Sequence, residues 1–531
     1  MVLMRGLRLL LLVVGLLSAT AAHALTAVQA RAIADGDTDA RVVALSDAAA
    51  AGEPGLAMFM QALLNDAVKL TPTQVLVVQG DKAADAASGA PATLPSDAED
   101  VVNNNRMRGA LQATLASLRL LSPERSVRAA AIDELGKQAT DEAQLPLIEK
   151  AWASESDATL KAQLGRMRAG VLVASSDPAK RLNAAQALGD SGEPTVKALL
   201  LERLAEGVES DADVRAALRQ SLDKVSRRLV WGERLGVVFT GISLGSILLL
   251  VALGLAITYG LMGVINMAHG ELMMIGAYAT YVVQNLFRAH APGAFDYYLW
   301  AAVPASFIVA ALVGAVLERS VIRWLYGRPL ETLLATWGIS LVLMQSVRSL
   351  FGAQNVPVEN PAWLSGGVAV MSNLTLPFNR IAIIAFALLV LAGVALLIAR
   401  TRLGLFVRSV TQNRRMAACV GVNTARIDTY AFSLGAGIAG LAGCALSQVG
   451  NVGPDLGQSY IVDSFMVVVL GGVGQLAGTV FAGLGLGVLN KVLEGWAGAV
   501  LAKIMVLVFI VVFIQKRPQG LFAMKGRSAE A

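Results

Sequence analysis

The chain has 531 residues, 55% hydrophobic and 16% charged, with a mean hydropathy of +0.59, whereas soluble domains carry about 25% charged residues, so lipid must solvate much of it. A net charge of +5 gives no nucleic-acid reading, and the two cysteines, Cys419 and Cys444, give no disulfide framework. Three histidines with no CxxC or HExxH spacing exclude a His-based metal site, and the absence of a GxxxxGK[ST] loop excludes ATP binding by the usual phosphate loop.

The N-terminus, MVLMRGLRLLLLVVGLLSATAAHA, places Arg5 and Arg8 before a short apolar run and ends in an A-x-A pattern. Residues 1–24 are therefore predicted to be a signal peptide, the alternative being an uncleaved anchor helix. In both readings the following segment is delivered outside the cytoplasm.

Residues 25–230 are Ala-rich, mixed in charge and free of long apolar runs. Helix starts are expected at Ser122, Ser156, Ser176 and Ser210, each Ser capping free N–H groups ahead of a 3–4-spaced apolar pattern. Pairing 122 with 156 and 176 with 210 suggests stacked helix hairpins, a HEAT-like repeat domain; an irregular helical bundle is the alternative. Residues 81–99 read as a loop within it.

From Leu235 the composition changes. Apolar runs of spanning length occupy 236–259, 272–288, 298–317, 331–350, 379–399, 427–448, 462–493 and 499–515, a polytopic all-helical membrane domain over 231–517 with a tail at 518–531. Arg319, Arg323 and Arg328, then Arg400, Arg402, Arg408, Arg414, Arg415 and Arg426, and the tail's Lys516, Arg517, Lys525 and Arg527 mark the cytoplasmic side; Arg348, Arg227 and Arg228 go against this pattern. Simple crossings after 400–426 would leave the tail outside. The expectation is that 462–493 is two half-spans turning within the membrane at LGGVGQLAG (470–478).

Two interrupted segments result: INMAHGE, with Asn266, His269, Gly270 and Glu271, and GGVGQ, with Gly471, Gly472, Gly474 and Gln475. Paired breaks and ionisable groups at membrane depth point to a substrate path. Close helix packing at the glycines, with NMAHGE as a cytoplasmic turn, is the competing reading. Segment 400–430 is too long and too helical for a connector. Arg414, Arg415, Ala417, Ala418 and Gly421 suit a short helix that docks a cytoplasmic partner, or else a helix held on acidic lipid.

GVINMAHGELMMIGAY (263–278), ERSVIRWLYGRPL (318–330), LGGVGQLAGTVFAGLGLGV (470–488) and KRPQGLF (516–522) together resemble, in order, the LivH-like permeases of bacterial branched-chain amino acid ABC importers. The resemblance spans the membrane domain. It implies a non-enzymatic permease of the inner membrane that works by alternating access. The implied partners are a second permease subunit, two cytoplasmic ATPases and a periplasmic substrate-binding protein, with ATP used by the ATPases and no cofactor bound here. The family's EAA-type coupling loop corresponds to Ala417, Ala418 and Gly421, with Met416 preceding Ala417 where a Glu would follow the pattern. A leader and an exported domain before the permease look like the urea permeases of the UrtB type, implying urea as cargo. A branched-chain amino acid or a short-chain amide is the alternative cargo, and a passive urea or amide channel the alternative of another class.

Overall fold

The computed structural model describes residues 25–522 apart from 52–54, 81, 96–97 and 137–143. The leader expected over 1–24 and the end of the tail lie outside the described residues. Two compact units divide between Leu229 and Val230.

The first unit opens with helices α1 (Ala27–Ala34), α2 (Thr38–Ala51) and α3 (Leu56–Leu64), followed by a five-stranded antiparallel sheet. Its strands are β1 (Val68–Leu70), β2 (Val75–Gln79), β3 (Lys82–Asp85), β4 (Pro91–Ala92) and β5 (Glu99–Asp100), ordered β4-β3-β2-β1-β5, with Val68 opposite Val77 and Leu76 opposite Asp85. Residues 81–99 are thus not simply a loop. Asp85 accepts from the N–H groups of Ala87 (3.1 Å) and Ser88 (2.7 Å), which folds the chain back so that Ala-rich strands pair. Such strands lack the β-branched alternation that marks a strand in sequence.

Helices α4 (Asn105–Arg119), α5 (Arg125–Gly136), α6 (Leu145–Ser154), α7 (Ala158–Leu172), α8 (Pro178–Leu188) and α9 (Pro194–Arg203) follow. At three of the four expected starts the cap is the aspartate after the serine: Asp157 accepts from Thr159 N and Leu160 N, Asp177 from Ala179 N, and Asp211 from Asp213 N and Val214 N, while Ser122 itself accepts from Glu124 N (3.3 Å). A carboxylate reaches these donors with a full charge, and the Arg125 guanidinium and the α7 N–H groups hold Asp157 down to about 2.

One hydrogen-bond circuit occurs twice. Arg128 grips Glu155 (2.8 and 3.1 Å) and the carbonyls of Ser122 and Pro123; Arg181 grips Glu209 (2.8 and 2.9 Å) and the carbonyls of Ser175 and Ser176. Each glutamate opens a Glu-Ser-Asp-Ala segment, at 155–158 and 209–212. The repeat therefore pairs 122–172 with the stretch from 175 onward, a longer period than pairing Ser122 with Ser156 suggests.

In the second unit, α10 (Ala212–Met262), of which residues from Val230 on belong here, is followed by α11 (His269–His290), α12 (Tyr298–Ser320) and α13 (Pro329–Phe351). A two-stranded ribbon, β6 (Gly367–Met371) with β7 (Leu374–Pro377), leads into α14 (Phe378–Arg400). Short helices α15 (Arg402–Gln412) and α16 (Arg414–Cys419) precede α17 (Thr424–Ser447), α18 (Leu456–Gly471), α19 (Leu476–Ala497) and α20 (Ala499–Lys516). Seven described helices are long and apolar enough to cross a membrane, and α18 is a shorter apolar helix. Helix α11, with charged and polar residues at both ends, is the ninth element of the bundle.

Contacts sort the helix ends. The end of α10 meets the loop after α12, where Tyr326 Oη donates to Met262 Sδ (3.2 Å) and to Glu318 (2.8 Å), and the start of α17 meets it through Thr429 Oγ1 donating to Glu318 (2.6 Å). These ends, with α15, α16 and the tail, form the basic side of the domain. At the opposite side Tyr298 donates to the Glu359 carbonyl (2.8 Å), Asn379 to the Gln448 carbonyl (3.0 Å), and Val356 pairs with Val452.

Helices α10–α13 and α17–α20 then form two groups with the same order and opposite direction. Leu248, Ala252, Leu255 and Ala256 of α10 pack on Met466 and Val467 of α18 and Leu486 of α19, as α17 packs on α11 and α12. Helix α14 carries the chain back across so that the second group starts on the basic side.

Candidate functional site

The break between α10 and α11, residues 263–268, does not end at the basic surface. His269 Nε2 donates to the Val251 carbonyl (3.2 Å), and Val251 lies about 16 Å back along α10 from its end at 1.5 Å per residue. Helix α11 therefore starts well inside the bundle. Its polar residues are enclosed: Asn266 is 2% exposed, His269 0% and Glu271 1%.

Their bonding is incomplete. Asn266 Oδ1 accepts from Ala268 N (3.0 Å), but its Nδ2 has no partner; His269 Nδ1 has none; Glu271 Oε1 accepts from Ser340 Oγ (3.0 Å) while Oε2 has none. Tyr278 Oη, about two turns further along the same face of α11 as Glu271, is also unpartnered. A buried polar atom left unpaired costs about 1–3 kcal/mol, so a packing role alone does not account for this group. Glu271 gains from sitting in the first turn of α11, where the helix dipole favours a carboxylate. Thr336 of α13 ties the break down, donating to the Ile265 carbonyl (3.4 Å) and accepting from Met267 N (3.2 Å).

The second break at depth is not the one the glycine count suggests. After α17 ends level with Tyr298, residues 449–455 descend as non-helical backbone, closed by the Val356–Val452 pairing (2.8 and 2.9 Å) and by packing on Asn355. Helix α18 then begins against the start of α11. A Cβ built on Gly457 would lie 2.5 Å from the Gly270 carbonyl, and one on Gly270 would lie 2.8 Å from the Gly457 carbonyl carbon. The Gly254–Gly435 contact between α10 and α17 is reciprocal in the same way. Two helix N-termini thus meet head to head inside the domain, a geometry that aims two sets of free N–H groups at one place. Asp455, at the N-cap of α18, faces the charge of Glu271, and Asp455, Gln458 and Ser459 stay exposed at this depth.

GGVGQ takes a different place. Gly472 (φ 97°) and Gly474 (φ 79°) turn α18 into α19, Gly471 packs on Gly478, and the turn is covered by the tail, Leu521 N donating to the Leu470 carbonyl (2.8 Å). The chain does not turn in the membrane centre here: α18, a short helix starting at depth, ends level with the tail, and α19 is a full 22-residue helix. Gly471 and Gly472 are buried under the tail, while Gly474 lies against Gly260 near the end of α10. The structure does not bring these four residues together with Asn266, His269 and Glu271.

In segment 402–421, Arg415, Ala418 and Gly421 (φ 90°) are exposed with Met416 and Val420. Ala417 is buried, while Arg414, itself exposed, reaches back to pair with the buried Asp428. Sequence reasoning did not single out Asp455, Tyr278 or Ser340, nor Glu318 and Asp428. An acidic residue inside an apolar run, as at 428, is the signal that finds such groups. Among the described residues no three His, Cys, Asp or Glu side chains are grouped to hold a metal ion.

Residues 237–514 match the family model described as the branched-chain amino acid transport system permease component. The chain is 32% identical to the Pseudomonas aeruginosa high-affinity branched-chain amino acid transport system permease protein BraD over 252 residues, 47% of this chain and 82% of that protein. It is 28% identical to Escherichia coli LivH over 294 residues (54% and 94%) and 25% identical to Escherichia coli LivM over 308 residues (53% and 69%). No solved structure matches the chain at a significant level.

Proposed function

The chain belongs to the branched-chain amino acid transport system permease family, and from that premise we propose that it forms half of the membrane path of an ATP-driven importer whose cargo is urea. It is a multi-pass permease component of the bacterial inner membrane, not an enzyme. The proposed partners are a second permease subunit, two ATPases that meet segment 402–421 through Arg415, Ala418 and Gly421, and a periplasmic binding protein. The first unit, on this reading, lies in the periplasm.

The observation that carries the reading is the head-to-head meeting of α11 and α18 beside unpaired Asn266, His269 and Glu271. Irregular backbone and ionisable groups at depth are tolerated where they line a path. Glu271 and Asp455 offer acceptors to a small molecule rich in N–H groups, and helix N-termini offer donors to its carbonyl. Neither carboxylate is ion-paired among the described residues, whereas an amino acid's own carboxylate requires a fixed cation beside the anion. The family match begins at residue 237, so residues 25–230 are additional to it, which supports the urea-type architecture. The relatives' names favour a second reading, a branched-chain amino acid as cargo.

The deciding experiment is uptake of labelled urea and leucine by proteoliposomes holding the whole complex with ATP inside. ATP-dependent urea uptake, with leucine not accumulated, is the expected result. Leucine uptake in its place establishes the second reading, and urea flux without the ATPases establishes a channel.

A further inference from the structure

Away from the helix starts, the membrane domain buries a second group of charges at its basic end. Glu318, in the last turn of α12, is 1% exposed, and Asp428, in the second turn of α17, is 0% exposed. Glu318 accepts from Tyr326 Oη (2.8 Å) and Thr429 Oγ1 (2.6 Å), so α12, the following loop and α17 converge on one carboxylate. Asp428 is paired with Arg414 of α16, and that guanidinium also stacks over the Tyr326 ring at 5.0 Å. The other oxygen of Asp428 has no partner, and Glu318 adds a like charge beside it.

Helix α16 is otherwise turned outward. Met416 is 61% and Val420 72% exposed, while Ala417 packs inward. An apolar contact such as that of Ala417 is non-directional and small in area, whereas a charged hydrogen bond is stronger and fixes direction as well as distance. A charge pair here therefore does something that packing does not.

We propose that Arg414 and Asp428, backed by Glu318, Tyr326 and Thr429, form the positioning link that carries displacement of α16 into the transmembrane bundle. With Arg414 seated, its bonded guanidinium, helped by the charge of Arg323, offsets two buried carboxylates, and the basic ends of α12 and α17 stay together. When a partner draws α16 away, Asp428 and Glu318 face each other with only the unbonded charge of Arg323 to offset them, and these ends separate to let water in. Helix α17 passes the motion on, because its Gly435 sits against Gly254 and its Gly443 against Met273 and Ala277 of α11, next to the helix starts.

The inference rests on the reading that α15–α16 meets an ATPase, and the test keeps the two apart. Asp428→Asn is near-isosteric and removes one of the two buried carboxylates, and Arg414, 41% exposed, remains solvated without its partner. In the reconstituted complex with both ATPases, this variant is expected to co-purify in normal stoichiometry and hydrolyse ATP while transporting about tenfold less cargo per ATP. Arg414→Lys, which keeps the charge, is expected to recover most of the coupling that Arg414→Ala loses. Coupling within about twofold of the unsubstituted complex overturns the proposal, and so does loss of the ATPases from the Asp428→Asn complex, since that makes the pair part of the docking surface. Should Asp428→Asn not yield a monodisperse complex, the exchange Arg414→Met with Asp428→Leu, which removes both charges together, carries the same readout. Gly421→Glu tests the docking reading separately: it is expected to shed the ATPases, and retention of them defeats that reading whatever Asp428→Asn does.

Discussion

The interruptions at 263–268 and 472–475 are both short, rich in small residues and set between apolar helices, yet they bury different things. The first encloses three polar side chains with unpaired atoms and starts a helix at depth. The second, Gly472-Val473-Gly474-Gln475, leaves no buried side-chain atom unpaired among the described residues; Gly472 N and Gln475 N bond to the carbonyls of Val468 and Gly472, and the tail packs over Gly472. Glycines alone therefore do not distinguish a path from a turn. Buried polar atoms that find no partner do, because the fold bears their desolvation cost without return unless something else binds there.

The largest expected effect comes from filling the point where the two helix starts meet. Gly270→Val places a branched side chain into the backbone of Gly457, which has no room to yield, and is expected to cost about 3 kcal/mol or more. Loss of monodisperse protein in size-exclusion chromatography checks this; normal yield shows that α18 does not press on α11 as described.

Next is Glu271→Ala. Transport is expected to fall about tenfold with expression intact, because the substitution removes an acceptor without breaking a salt bridge. An unchanged uptake rate returns Glu271 to a helix-capping role. Asp455→Asn, at the other helix start, is expected to give a smaller loss of about threefold with the same intact expression, as one of two acceptors retains half its hydrogen-bonding capacity. A larger effect than that of Glu271→Ala reverses their order.

The smallest effect belongs to the other interruption. Gln475→Ala sits on a turn rather than at the helix starts, and uptake is expected within about twofold of the unsubstituted protein. A tenfold loss there erases the distinction between the two interruptions and restores GGVGQ to the path.

Much of this architecture was legible. Eight apolar runs and the clustering of arginines at 319–328 and 400–426 are long-range compositional signals, set by lipid, that no tertiary contact overrides. INMAHGE was legible as an interruption at depth because an acid in an apolar run has to be explained. The start of α18 was not, since nothing in QVGNVGPDLGQ distinguishes an outer loop from backbone descending into the domain; only the meeting of Gly457 with Gly270 does. Arg414 reads as one more cytoplasmic arginine until its buried partner, fourteen positions on, is placed beside it. In the first unit, Ala83, Ala84 and Ala92 carry no strand signal of their own: Ala84 and Ala83 become a strand by pairing with Val77 and Val78, and Ala92 by pairing in turn with Ala83.

The opposed α10–α13 and α17–α20 groups have a thermodynamic consequence. When two copies of one helical motif face each other head to foot, closing the bundle at one end and closing it at the other are nearly the same packing reaction run on different copies. The free-energy difference between inward- and outward-open forms is then small, and the fold by itself acts as a balanced switch without a preferred direction. Net accumulation must be imposed from outside the bundle, by cargo delivered on one face and by nucleotide hydrolysis on the other.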